Sequence, residues 1–239
     1  MRLHRETMLE FVDAIVSGRL EPGARLPKET ALTEQYEISR GVARESMRAL
    51  EERGLVSVKH GGHTVVNPRE SWDLFDADVI TAGLGGAAAV SLLGDYLECR
   101  RIVEIEAAGL AASRASGEHV VRLEARLGEM KAAVAQRRAR VQERDYHAAD
   151  VAFHLALVEA TGNEALVSMI RRIDAALLAA RYPLARPAYR KTRAIPEHEA
   201  ILAAVRARDE AAAREAMRTH LDTVEQYLRE HARRVARAA

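Results

Sequence analysis

Ile38-Ser-Arg-Gly-Val-Ala-Arg-Glu-Ser-Met-Arg-Ala-Leu-Glu-Glu-Arg-Gly54 is the stretch whose reading decides the fold. Ser39 is a good N-cap, because its hydroxyl can accept a free amide proton of the first turn. Arg40, Arg44 and Arg48 recur every four residues and form one basic stripe, while Val42, Ser46, Met47 and Leu50 fall mostly on the other side. Gly54 ends the helix. A helix N-terminus favours phosphate, and guanidinium forks suit both phosphate and the acceptor edge of guanine. Taken alone, the stretch reads equally as a DNA-recognition helix or as a surface helix with a solvated basic face.

Its neighbours separate the two readings. Leu9, Phe11, Val12, Ile15 and Val16 recur at helical spacing within a helix from about Leu3 to Val16, and Gly18 stops it. Leu20 to Pro27 is a turn-rich connector with Pro22-Gly23 at the bend. Lys28 to Gln35 is a short second helix, and a turn through Tyr36-Glu37-Ile38 makes a helix-turn-helix. Leu55 to His60 is strand-like, Gly61-Gly62 turns, and Thr64-Val65-Val66 returns. Three helices followed by a hairpin make a winged helix. His60 and Gly61 at the hairpin tip are candidate DNA contacts beside the candidates Ser39, Arg40, Arg44 and Arg48.

Composition bounds the rest. The chain has 239 residues, 48% hydrophobic and 30% charged, with aromatics only 4%. Abundant alanine with few Gly and Pro points to a mainly α protein. Net charge is +1, so nucleic-acid binding must come from a local patch. The single Cys99 excludes an internal disulfide and fits a reducing, cytoplasmic setting. The longest uncharged run, Val79 to Gly94, is too short and too glycine-rich to span a bilayer.

Residues 69–88 read as a connector, with Trp72 anchoring the joint to a second domain. Beyond it, helical patterns run over Leu92–Ser113, His119–Arg137, Gln142–Thr161, Glu164–Ala180, Ile195–Arg208 and Asp209–Ala238, with stops expected near Pro183, Pro187 and Pro196. Short joints between such helices predict an antiparallel helical bundle. Within it, Asp150 and His154 are four residues apart and share one helix face. His198 and His220 lie on later helices. One carboxylate and three imidazoles suit Zn, Ni, Mn or Fe(II), although chain spacing alone does not bring them together.

Gly18-x-Leu20-x-Pro22-Gly23-x-x-Leu26-Pro27-x-Glu29, Ser39-Arg40-x-Val42-x-Arg44-Glu45 and Leu50-Glu51-x-x-Gly54-Leu55-Val56 resemble the N-terminal domain of GntR-family transcription regulators. The resemblance implies that Arg40 and Arg44 read the operator and that the wing at His60-Gly61 enters the minor groove. Thr30 departs from it, standing where some members have a DNA-contacting arginine. Asp150-x-x-Phe153-His154-x-x-Leu157, Thr161-Gly162-Asn163, Glu197-His198-x-x-Ile201 and His220-Leu221 resemble the FCD ligand-binding domain of the FadR-type branch. That resemblance implies a divalent ion on Asp150, His154, His198 and His220. It also sets Arg100 to grip an effector carboxylate, with a structural pair to Glu104 as the alternative, and Asn163 to line the site or merely cap a helix.

The expected organisation is a winged helix-turn-helix over 1–68, a connector over 69–88 and an FCD-like bundle over 89–239. The expected function is a homodimeric regulator, in its repressor form, that binds palindromic operator DNA and senses a small carboxylate or sugar acid. A metal-dependent enzyme leaves the first seventy residues unexplained, and an architectural DNA-binding protein leaves the histidine set unexplained.

Overall fold

The computed structural model describes residues 2–59, 62–84, 89–136, 139–179 and 188–238. The wing-tip candidates His60 and Gly61, the expected helix ends Arg137 and Ala180, and the expected stops Pro183 and Pro187 lie outside these residues. The chain divides into two compact units, Met1–Leu93 and Gly94–Ala239.

The first unit contains α1 (Arg2–Val16), α2 (Glu29–Gln35), α3 (Arg40–Glu52), β1 (Val56–Lys59), β2 (His63–Val66) and α4 (Ala77–Leu84). The apolar face of α1 brings Met8, Phe11, Val12 and Ile15 into one core with Leu32, Met47 and Leu50. On α3 the buried set is Ala43, Ser46, Met47 and Leu50, with Val42 only half-buried, so the core-facing stripe sits slightly off the expected one. Gly54 closes α3 with φ +69°, and a Cβ there would overlap the Ser71 carbonyl oxygen, so this turn requires glycine.

β1 and β2 pair antiparallel, with Val56 opposite Val66 and Lys59 opposite His63. The connector between α1 and α2 runs along β2 and adds an isolated bridge to this two-stranded hairpin. Arg25 bridges to Val65, Leu26 donates to the Thr64 carbonyl and Val66 donates to the Ala24 carbonyl, both bonds at 2.9 Å.

Trp72, expected at a joint with the second domain, packs against the core of the first unit, and its indole N–H donates to the Asn67 carbonyl at 3.1 Å. Arg53, at the C-cap of α3, donates Nε to Asp76 (3.1 Å), Nη2 to Asp78 (2.8 Å) and Nη1 to the Ala49 carbonyl (2.8 Å). The segment after the wing is therefore fastened to the end of α3.

The remaining helices are α5 (Ala89–Arg114), α6 (Gly117–Val134), α7 (Ala139–Glu159), α8 (Glu164–Ala179), α9 (Ala188–Arg206) and α10 (Glu210–Ala238). They form the antiparallel helical bundle around Leu123, Met130, Phe153, Leu157, Ile201 and Met217. Side-chain caps set their starts: Ser116 for α6, Asn163 for α8 and Asp209 for α10. Pro196, expected as a boundary, lies inside α9. A proline in a helix interior costs about 3 kcal/mol, and the burial of Ala194, Ile201, Leu202 and Val205 on either side of it offsets that loss. Among the described residues no helix is long and apolar enough to cross a membrane.

Candidate functional site

The N-terminal candidates sit on one exposed helix face. Ser39 caps α3, its hydroxyl accepting from the Val42 N–H at 3.3 Å. Arg40, Arg44 and Arg48 are all exposed, the last two with side chains 70% and 68% accessible. Arg44 lies 3.7 Å from Glu29 and Arg48 lies 3.1 Å from Glu52. At such exposure these pairs hold the arginines weakly, at about 0–1 kcal/mol each, so a phosphate or a base edge can displace them. A groove of about 540 Å³ runs between α2, α3 and the wing, lined by Lys28, Thr30, Arg44, Met47, Arg48 and Val58 among others.

In the bundle, α7 supplies Asp150 and His154, α9 supplies His198 and α10 supplies His220, and all four are buried. One nitrogen from each histidine lies within 4.8 Å of the others. The rings crowd together: His198 and His220 have centroids 4.4 Å apart, and Phe153 stands edge-on to His198 at 4.9 Å. Asp150 Oδ1 lies 3.3 Å from His198 Nε2.

The outward-facing nitrogens set the chemistry of this cluster. His154 Nδ1 meets Glu104 Oε2 at 2.6 Å, His198 Nδ1 meets the Ala194 carbonyl at 2.7 Å, and His220 Nδ1 meets Glu197 Oε2 at 2.9 Å. The Ala194 carbonyl and the Glu197 carboxylate draw the ring protons of His198 and His220 to Nδ1 and leave their Nε2 as lone pairs, the tautomer a metal ligand needs, whereas the close approach of Glu104 to His154 lies off the hydrogen-bond line. A neutral imidazole donates on one side only. Yet His198 Nε2 also faces His154 Nε2 and Asp150 Oδ1, both at 3.3 Å. Acceptors thus oppose acceptors inside a buried space, and a cation among them reconciles all of them. The residues present therefore fit a divalent ion.

The electrostatics around the cluster agree. Burial pushes the Glu104 carboxyl up, but Arg100 and His154 outweigh it and hold it down at about 2. Burial lowers His154 although Glu104 pulls it upward, which favours the neutral ring. Arg100 is buried, and its Nε donates to Glu104 Oε1 at 2.6 Å. The structural pair between Arg100 and Glu104 is therefore formed. It occupies one N–H of the guanidinium, and no hydrogen bond from either Nη is found among the described residues.

Asn163, expected as a possible effector contact, has its side-chain oxygen occupied in capping α8, where it accepts from the Ala165 and Leu166 N–H groups at 3.1 and 3.2 Å. That assigns it to the helix cap.

Two elements of the site escaped the sequence. Glu197 precedes His198 in the chain but serves His220, a long-range pairing that adjacency does not signal. Asp174 interrupts the apolar face of α8 between buried Ile173 and Ala176, and burial pushes its carboxyl up to about 7, against the opposing pull of Arg100. A carboxylate breaking an apolar helical stripe was the available signal.

Two family models match the chain. The family described as bacterial regulatory proteins, gntR family, matches residues 4–66, and the FCD domain matches residues 95–223. The HTH-type transcriptional regulator LutR of Bacillus subtilis is 33% identical over 229 residues, covering 90% of this chain and 95% of that protein. The galactonate operon transcriptional repressor of Escherichia coli is 29% identical over 225 residues, covering 90% of this chain and 92% of that one. A solved structure described as Lar, which controls expression of the Listeria monocytogenes agr system, is similar in fold, with a TM-score of 0.63 at 18% identity over 95% of this chain and 96% of that one. The basic α3 beside its wing and the histidine-bearing bundle are thus the two halves of one architecture, and the chain belongs to the gntR family of DNA-binding transcriptional regulators that carry an FCD domain.

Proposed function

We infer that this regulator is a metabolite-responsive repressor of the FadR-type branch, acting as a homodimer on a palindromic operator. Residues 1–68 bind DNA, 69–88 connect, and 89–239 sense the effector and dimerise. Arg40, Arg44 and Arg48 face the operator from α3, and Ser39 presents the helix N-terminus to a phosphate; His60 and Gly61, outside the described residues, are kept as candidate DNA contacts.

The observation that carries the sensing half is the convergence of three buried imidazoles beside Asp150, one nitrogen of each within 4.8 Å of the others and two of the rings held by Nδ1 bonds. Asp150, His154, His198 and His220 would hold a divalent ion, with Zn, Ni, Mn and Fe(II) all compatible with the donor set. Such an ion supplies an electrophilic anchor for an oxygen ligand. Arg100, buried beside the site with one N–H on Glu104, suits the carboxylate of a small acid. The name of one relative, a galactonate operon repressor, supports a sugar acid or hydroxy-carboxylate effector. Effector binding then changes DNA affinity only to the extent that it favours one state of the dimer over the other.

The test is elemental analysis of the purified protein, followed by thermal melting against galactonate, other sugar acids and small hydroxy- and dicarboxylates. One divalent ion per chain and a ligand-specific rise in melting temperature are expected. Neither ion nor rise would remove the sensing half and leave the DNA-binding half standing.

A further inference from the structure

Glu29 opens α2, and Arg44 stands on the second turn of α3. Between the two helices Glu29 Oε2 approaches Arg44 Nε at 3.7 Å, with the side chains 44% and 70% accessible. The guanidinium is thus met on its Nε side, and neither Nη makes a hydrogen bond among the described residues. The same groove carries Lys28 and Arg48 beside Glu29 and Glu51, and Arg48 is itself paired with Glu52 at 3.1 Å. The surface that would meet DNA is therefore close to charge-balanced, like the chain with its net charge of +1.

Attraction to phosphate is a charge effect, whereas base reading is directional. Non-specific affinity comes from cations that neutralise phosphates and release counterions. An arginine already beside a carboxylate brings little of that: it exchanges one exposed anion for another, a gain of at most about 5-fold. A guanine edge instead takes two N–H groups of one guanidinium, which discriminates by about 5- to 150-fold and leaves the Nε side free for Glu29. The second effect exceeds the first, so a paired Arg44 favours a base over the backbone. We propose that Glu29 is a positioning residue that holds Arg44 from its Nε side, cancels its pull on phosphate and keeps both Nη groups for a base edge. Glu29 then sets the specificity of operator recognition more than its strength. Both effects rest on the reading above that α3 faces the operator.

Glu29→Gln removes the charge with almost no change of shape. Fluorescence anisotropy over a salt series compares duplexes selected by the wild type from a random-sequence pool with unselected duplex. Binding to unselected duplex should tighten about 2- to 5-fold, and its log–log salt slope should steepen by up to about 0.9, the equivalent of one further phosphate. The preference for selected duplex should fall by at least the same factor. In an Arg44→Ala background the same substitution should lose most of its effect, because Glu29 acts through that guanidinium.

Equal tightening in both backgrounds would make Glu29 a general surface charge and overturn the proposal. So would a Glu29→Gln variant whose preference and salt slope match the wild type. Glu29→Asp covers the case where Glu29→Gln fails to fold. It keeps the charge at the start of α2 but draws the carboxylate back by one methylene, so preference and slope should shift in the same direction, and unchanged values overturn the proposal. An Arg44→Ala variant that binds both kinds of duplex as the wild type does would sink the reading that α3 meets DNA, and Glu29's role with it.

Discussion

Arg53 Nε and Asp76 Oδ1, 23 residues apart in the chain, pair at 3.1 Å across the end of α3. Both side chains are half-buried, and Asp78 takes the other side of the same guanidinium at 2.8 Å. The recognition helix and the segment after the wing therefore move as one piece within the first unit. Removing the guanidinium leaves two half-buried carboxylates and the Ala49 carbonyl without it, so Arg53→Ala should destabilise this unit by about 1–3 kcal/mol. Chemical denaturation checks it; a loss under about 1 kcal/mol would make the clasp ornamental.

Gly54 lies directly beside that clasp. Its positive φ and its contact with the Ser71 carbonyl leave no room for a side chain. Gly54→Ala should cost about 1–3 kcal/mol through strain and forced displacement of the Ser71 backbone. A melting temperature equal to the wild type would refute that.

Arg44→Ala should weaken operator binding by about 1–3 kcal/mol if the side chain reads a base. Affinity for unrelated DNA should change less. Equal losses on both, by fluorescence anisotropy at one fixed salt concentration, would reduce Arg44 to a phosphate contact.

His198→Ala should lower metal content while leaving the winged helix folded and DNA-competent. Its ring faces both His154 and Asp150, so no other ligand replaces it. Unchanged metal by elemental analysis would remove His198 from the site. Glu197→Gln tests the opposite side of the cluster: with the Nδ1 acceptor of His220 weakened, metal affinity should fall about 10-fold or more.

Asp174 gives the metal-free protein a pH signature. Its carboxyl is raised from the usual 3.8 to about 7, first by burial. A raised acid is easier to keep protonated in the folded state. Its contribution is therefore fully present below the unfolded value and is lost as pH rises through the folded one. Metal-free wild type should lose about 1–2 kcal/mol between pH 4 and pH 8 from this group, less than the full shift because Asp174 keeps some solvent. Asp174→Asn should abolish that part of the dependence in melting curves; an identical slope in both proteins would exclude Asp174 as its source.

The sequence carried local information well. The Ser39 cap, the arginine stripe and the Gly54 stop are set within a few residues, and each stands where the spacing put it. The bundle helices follow from unbroken apolar periodicity. What was illegible is non-local. Nothing in Arg25 announces a bridge to Val65, because such a bridge depends on where the connector is laid. Trp72 reads as the anchor of a joint to the second domain, and its packing against the core of the first unit was not legible from its neighbours in the chain. Pro196 reads as a stop by propensity, which tertiary burial overrides. The ligand face of α7 followed from helical spacing, and family resemblance assembled the four-residue set. Neither indicated that Glu197 holds the His220 ring or that Glu104 lies against His154.

The bridge contributed by residues 23–26 also insulates the protein from itself. A bare two-stranded hairpin offers two open edges to any passing chain, and open edges template aggregation. Here the outer rim of β2 is occupied by Gly23, Ala24 and Leu26. The other rim belongs to β1, which is four residues long and ends on Lys59. Among the described residues, the hairpin edge left open to a second chain is therefore this short β1 margin.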